Sequence, residues 1–120
     1  MNQIIPPKVL RILFALPFLV FGAFHFMGAQ QMKGMVPAYI PGGILWIYIT
    51  GGLLILTALA MIVNKFAKAA GYILGTMLLV FILTIHGPAV IAGDQAAIYS
   101  LLKDFSLMAG AMFIANFSAK

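Results

Sequence analysis

Residues 45–63, LWIYITGGLLILTALAMIV, contain no charged side chain and are mostly apolar. A bilayer core of about 30 Å is crossed by roughly 20 residues that rise 1.5 Å each along a helix. Hydrocarbon offers no partner for backbone N–H and C=O groups, so such a segment has to satisfy them internally as a helix. We therefore predict that residues 45–63 form a membrane-spanning helix.

The charged residues divide the rest of the chain in the same way. No charge lies between Arg11 and Lys33 or between Lys68 and Asp94, and a further apolar stretch follows. We predict an all-α, transmembrane four-helix bundle that forms a single domain over residues 1–120. The spans are placed near Val9–Met27, Leu45–Val63, Ala70–Pro88 and Ala97–Phe117.

The fourth span is interrupted by two charged residues, Lys103 and Asp104. The residues around them still supply enough apolar length, which favours four spans. The alternative is three spans followed by an amphipathic helix that lies on the membrane surface.

The composition excludes several classes of protein. Hydrophobic residues make up 64% of the chain and charged residues 8%, whereas soluble domains carry about 25% charged residues. We therefore do not expect a soluble domain, and a disordered chain is excluded because apolar residues are abundant. Without cysteine, the chain cannot form disulfides or thiolate metal sites. The net charge of +5 comes from cations beside apolar runs, so we expect the lipid bilayer as partner and no nucleic acid.

The cations also predict the orientation of the spans. Lys8 and Arg11 lie near the start of the first span, and Lys65 and Lys68 join the second to the third. Lys120 ends the chain, so with four spans all five cations fall on one side, which is expected to be cytoplasmic. We predict a multi-pass protein with both termini cytoplasmic. The uncharged run after Arg11 exceeds the apolar region of a signal peptide, so we expect the first span to be retained.

The loop between the first two spans, Gly28–Gly43, is the only sizeable segment outside the predicted membrane. Pro37 and Pro41 disfavour the α conformation of the residue before each of them, so we expect an extended first outer loop over Val36–Pro41. Its apolar side chains predict that it lies across the mouth of the bundle as a lid. An ordinary interfacial connector is the alternative.

Four polar residues occupy similar heights in the predicted membrane. His25 comes late in the first span and His86 late in the third. Lys103 and Asp104 come early in the fourth, which enters from the outside, so all four lie in the outer third of the bilayer. Ionisable groups at this depth normally face the bundle interior and pair. Asp104 is expected to point inward, with Lys103 about 100° away around the helix.

These residues predict a pocket that binds a small ligand and relays protons. Imidazole accepts and donates protons near neutral pH, and the carboxylate and ammonium of Asp104 and Lys103 suit the ends of a dipolar ligand. Phe18 and Phe21 share a helical stripe with His25 and would hold an apolar ring such as that of a quinone.

Two other hypotheses use the same histidines. His25 and His86 could be the axial ligands of a b-type haem held between the helices. Alternatively, they only hydrogen-bond between helices and fix their packing, as in a non-catalytic assembly subunit of a membrane complex. No other metal site is expected, and no catalytic residue is assigned.

The chain resembles the DoxX family of small four-helix bacterial membrane proteins in five segments. They are residues 22–26 (GAFHF), 35–41 (MVPAYIP), 46–51 (WIYITG), 86–90 (HGPAV) and 102–110 (LKDFSLMAG). The resemblance extends over nearly the whole chain and depends on the order and spacing of these segments.

The resemblance implies a four-helix bundle in the bacterial inner (cytoplasmic) membrane and an association with membrane redox. Family members include small quinone-linked subunits of thiosulfate oxidation and partners in oxidative-stress complexes. Because this chain has no cysteine, the thiol chemistry of such complexes is expected in a redox partner protein. We therefore expect a redox-associated component and not a complete enzyme, with a pocket for a quinone-like ligand. Assembly as a homo-oligomer is left open.

Overall fold

The structure is a computed structural model that describes residues 4–118, so Lys120, which entered the predicted orientation, lies outside the described residues. The helices in chain order are α1 (Pro7–Met27), α2 (Ala29–Met32), α3 (Ile44–Val63), α4 (Ala67–Phe81), α5 (Gly87–Ile91) and α6 (Ala96–Asn116). A π-helical turn at Ile82–His86 joins α4 to α5 without a break.

Four stretches are long and apolar enough to cross a membrane: α1, α3, the continuous stretch Ala67–Ile91, and α6. Their mean hydropathy lies between 1.4 and 2.1. The longest dimension of the molecule, 47 Å, is sufficient to cross a bilayer of about 40–45 Å including its headgroups. No strand occurs within residues 4–118. The prediction of an all-α bundle with four spans is confirmed, and the chain is a multi-pass membrane protein.

The third span differs most from its predicted bounds of 70–88. It begins at Ala67 and continues to Ile91, past Pro88, where we expected it to end. The first span begins at Pro7 and not at Val9, in keeping with the preference for proline at the first position of a helix.

The π-helical turn explains how the third span continues through a proline. Pro88 has no N–H to donate to the C=O of Thr84, and the Tyr39 hydroxyl lies 3.5 Å from that oxygen, a long contact. Immediately before it, the N–H of Gly87 bonds to the C=O of Ile82, five residues back. The helix thus passes Pro88 by a local change in hydrogen-bond spacing.

The helices pack as two close pairs, α1 with α3 and α4 with α6, and α3 lies against α4. Glycines permit the close approach in both pairs. A Cβ atom on Gly71 would lie 2.6 Å from the C=O oxygen of Ala111, and one on Gly22 would lie 2.9 Å from that of Gly51. Small residues at such positions let membrane helices make extensive van der Waals contact.

We call the two ends of the bundle the closed end, where residues 64–66 join α3 to α4, and the loop end, where residues 28–43 join α1 to α3. Toward the closed end the space between the helix pairs is filled by side chains, with Met61 and Leu74 completely buried. The Nε–H of Arg11 donates to the C=O of Met61 at 2.8 Å, which satisfies one of the last carbonyls of α3.

The first loop is more compact than predicted. Val36 is extended, as expected before a proline, but the N–H of Ile40 bonds to the C=O of Pro37 at 3.0 Å and closes a turn. The preceding residues form α2 and a 3₁₀ turn at Lys33–Met35. The prediction of an extended segment is therefore wrong for residues 37–41. A proline fixes its own φ and disfavours the α conformation of the residue before it, and neither restriction prevents its C=O from closing a turn after Val36.

Candidate functional site

Between the two helix pairs, at the loop end, lies a cavity of about 490 Å³, which we call the chamber. All four spans and the first loop line it. Its walls are mainly apolar, and they include Phe18, Phe21, Leu54, Leu78, Phe81 and Leu107. The volume lies within the range of small-molecule sites in proteins, which are typically apolar clefts with a few polar groups.

Two of the predicted site residues meet in the wall of the chamber. Nε2 of His86, at the end of the π-helical turn, lies 2.9 Å from Oδ2 of Asp104 on α6. Asp104 is 5% exposed, so the predicted inward orientation of its side chain is observed. An ionised carboxylate can only accept hydrogen bonds, so the Nε2–H of His86 donates to Asp104.

Gly87 holds His86 in this position. A Cβ atom on Gly87 would lie 2.7 Å from the C=O oxygen of Ile82, which is closer than real Cβ contacts allow. Only glycine therefore accommodates the π-helical turn that ends at His86. The sequence signal was the His-Gly-Pro run at residues 86–88, whose effect on the orientation of the ring we did not predict.

His25 lines the same chamber from α1 and is half-buried. Its Nδ1 lies 2.6 Å from the C=O oxygen of Phe21, one turn earlier. Because a carbonyl only accepts, Nδ1 carries the hydrogen, and Nε2 of the neutral ring is left as an acceptor. Gly51 gives this residue room, since a Cβ atom there would lie 2.8 Å from the Cβ of His25.

Lys103 also lines the chamber but is exposed. Within residues 4–118 it forms no ion pair, and its neighbour Asp104 bonds to His86. This agrees with the helical geometry, which places adjacent residues about 100° apart. Lys103 therefore supplies positive charge at the edge of the chamber.

Phe18 and Phe21, which we predicted to hold an apolar ring, form part of the chamber wall. Phe18 is 3% exposed and Phe21 is 41% exposed, and both line the chamber. Their ring centroids lie 6.2 Å apart in an edge-to-face arrangement. Phe18 anchors the wall in the core, while Phe21 forms a more open part of it.

The side of the chamber formed by the first loop, which we call the roof, is lined by Met32, Met35 and Ile40, as the lid hypothesis required. Trp46 of α3 also lines the chamber, although the sequence analysis did not assign this residue to the site. The indole N–H of Trp46 donates to the C=O of Pro41 and ties the roof to α3. Tryptophan is enriched at membrane interfaces in general, so the sequence carried no specific signal for this contact.

The residues do not fit a haem bound through Nε2 of both histidines. That hypothesis needs Nε2 of His86 to bind iron, whereas this atom is already bonded to Asp104. Within residues 4–118, no group of three or more His, Asp or Glu side chains could hold a metal ion.

No protein-family model matches the chain, and neither a curated protein nor a solved structure is significantly similar to it. The role of the site is therefore inferred from its own geometry. That geometry is an apolar chamber with a hydrogen-bonded His86–Asp104 pair, a histidine acceptor at His25 and a cation at Lys103.

Proposed function

We propose that this chain is a DoxX-like, redox-associated component of the bacterial inner membrane, with both termini cytoplasmic, whose chamber binds a quinone-like ligand. The observation that carries the proposal is the His86–Asp104 pair, 2.9 Å apart, in the wall of a mainly apolar chamber of about 490 Å³. Apolar walls suit a substituted ring and its tail, and a few polar groups suit the ring oxygens.

The pair is suited to proton exchange with such a ligand. A ring oxygen in the chamber accepts a proton from the pair, and the Asp104 carboxylate stabilises the imidazolium form of His86 through which that proton passes. The electrons that convert a quinone to a quinol come from a redox partner protein, since the pair handles protons only. Nε2 of His25 is a second acceptor for the hydroxyl of a quinol.

The site provides its own probe for binding. Trp46 is the only tryptophan of the chain and lines the chamber, so a quinone bound there quenches its fluorescence. We expect saturable quenching by a short-chain quinone in detergent or nanodiscs. Asp104→Asn and His86→Gln should each weaken binding roughly tenfold or more, because a hydrogen bond to a charged group contributes about 1.5–3 kcal/mol.

Ser106→Ala is the matched control, since Ser106 is exposed on the same helix and does not line the chamber. It should leave quenching unchanged. Thermal unfolding of each variant separates lost binding from lost folding. Equal quinone affinity in folded Asp104→Asn, His86→Gln and unaltered protein would rule out the proposal.

A second candidate is a non-catalytic assembly subunit. It is favoured by the fact that His86 and Asp104 bond to each other and that Nδ1 of His25 bonds within its own helix, so these groups have partners without a ligand. In that case Asp104→Asn lowers thermal stability and weakens association with the partner complex, while no quinone binds to any variant.

A further inference from the structure

A second cleft of about 540 Å³ lies on the loop end of the bundle, and we call it the vestibule. The first loop, α5 and the start of α6 line it. Asp94, Ala97 and Tyr39 line the vestibule without lining the chamber. The turn that joins α5 to α6 is exposed along residues 91–96, so the vestibule reaches the end of the bundle, where water is present.

The chamber and the vestibule share one wall. The residues that line both are Met35, Pro37, Thr84, Ile85, His86 and Ser100. Among these six, His86 is the only residue with an ionisable side chain. Asp104 lines the chamber alone and Asp94 lines the vestibule alone, whereas His86 lines both cavities.

The vestibule is suited to hold water. A water molecule occupies about 30 Å³ in the liquid, so a cleft of this size holds on the order of ten or more. Its lining offers the Tyr39 hydroxyl, the Ser100 hydroxyl and the Asp94 carboxylate as hydrogen-bond partners. Asp94 already accepts from the backbone N–H of Ala96 at 3.0 Å, which fixes the carboxylate at the entrance to α6.

We propose that the vestibule is the aqueous route by which His86 exchanges protons with the compartment at the loop end, so that ligand protonation in the chamber is coupled to that side of the membrane. This inference rests on the proposed function. The charged and titratable groups that line the two cavities are Asp104 and Lys103 of α6, His25 of α1, Asp94 of the α5–α6 turn and Tyr39 of the first loop.

The hydrogen bond between His86 and Asp104 determines the order in which protons move. Nε2–H of neutral His86 is bonded to Asp104, which leaves Nδ1 to take a proton from vestibule water. The resulting imidazolium passes its Nε2 proton to Asp104, to which it is bonded, and the carboxyl of Asp104, which lines the chamber, gives that proton to the ligand oxygen. One proton enters from the loop end and one leaves to the ligand, so Asp104 ends ionised and His86 ends with its proton on Nδ1.

Cysteine accessibility tests the route directly, since the chain contains no cysteine. Ala97→Cys and Ser100→Cys place a thiol on the vestibule, whereas Leu102→Cys places one on the exposed face of the same helix within the span. A cationic, membrane-impermeant methanethiosulfonate is added to proteoliposomes. We expect the two vestibule variants to react roughly tenfold or more faster than Leu102→Cys, because the reactive thiolate forms in water and not in lipid.

A second measurement follows the ring of His86. In protein labelled with ¹⁵N-histidine, assigned with His86→Gln, the ring N–H of His86 should exchange with D₂O quickly. After the thiol of Ser100→Cys has been modified with a bulky reagent, that exchange should slow roughly tenfold or more. Slow reaction of both vestibule thiols, or unchanged exchange after the cleft is blocked, would overturn the route.

Trp46 quenching by a short-chain quinone, measured on the same preparations, separates the two proposals. Quinone binding together with unreactive vestibule thiols leaves the ligand proposal standing and removes the route. Reactive thiols and blocked exchange without quinone binding leave the route standing and remove the ligand.

Discussion

The closed end and the loop end are built from the same four spans but pack in different ways. Toward the closed end, Gly71 lets α4 approach α6, and Met61 and Leu74 fill the space between the helix pairs. At the loop end the helix pairs are separated by the chamber of about 490 Å³, although α1 and α3 still touch through Gly22 and Gly51. The two ends therefore differ in the space between the helix pairs and not in the packing within each pair.

This contrast indicates where stability and function reside. A filled interior gains dispersion contacts that a cavity wall lacks, so the closed end stabilises the bundle and the loop end does so less. At the loop end, polar side chains and the first loop line the chamber instead. Substitutions at the two ends test this division, beginning with the largest expected effect on stability.

Gly71→Ala should cause the largest loss of stability. Its Cβ would lie 2.6 Å from the C=O oxygen of Ala111 and 2.7 Å from the Cβ of Ala115, so α4 and α6 would have to separate. We expect a loss of about 3 kcal/mol in the free energy of unfolding, measured by denaturant titration in mixed micelles. Gly52→Ala is the control, because nothing lies within 4 Å of its Cβ position, and it should not destabilise the protein. Equal effects of both substitutions would contradict the proposed role of the closed end.

Gly87→Ala should act on the loop end. The added Cβ would lie 2.7 Å from the C=O oxygen of Ile82, so the π-helical turn has to rearrange and His86 moves away from Asp104. We expect a smaller loss of stability, about 1–2 kcal/mol, together with loss of Trp46 quenching by quinone. Gly34→Ala, which has no atom within 4 Å of its Cβ position, should retain both stability and quenching. Normal quinone binding by Gly87→Ala would show that the turn does not position the site.

Arg11→Gln should have the smallest effect on stability. It removes the hydrogen bond from the guanidinium to the C=O of Met61 at 2.8 Å, and we expect a loss of about 1 kcal/mol, seen as a lower thermal midpoint. Lys8→Gln removes the same charge from an exposed position in the first turn of α1 and should leave the midpoint unchanged. If both substitutions lower it equally, net charge and not the bond to α3 is responsible.

The heights of the site residues could be predicted because an uncharged run of about 20 residues has one way to cross a bilayer, and 1.5 Å per residue sets the depth of each position. This is why His25, His86 and Asp104 could be placed in one layer before any contact was known. The inward orientation of Asp104 followed from the cost of a charge facing lipid.

The partner of each polar group could not be predicted in this way. Asp104 bonds to His86 and not to Lys103, and Nδ1 of His25 bonds within its own helix. The π-helical turn before Gly87 rotates the end of the third span, and a regular 3.6-residue period contains no trace of it. The turn after Val36 was missed for a similar reason, since the conformation of a loop depends on what lies beneath it.

The order of amino acids alone sets the number of spans and the depth of their polar groups, because the length of an apolar run and the rise of a helix are local properties. Packing in three dimensions sets which groups bond, how far the helix pairs separate and where a chamber forms. Those features depend on the rotation of each helix about its axis and on close approach at residues distant in the chain, and neither quantity is contained in any single segment.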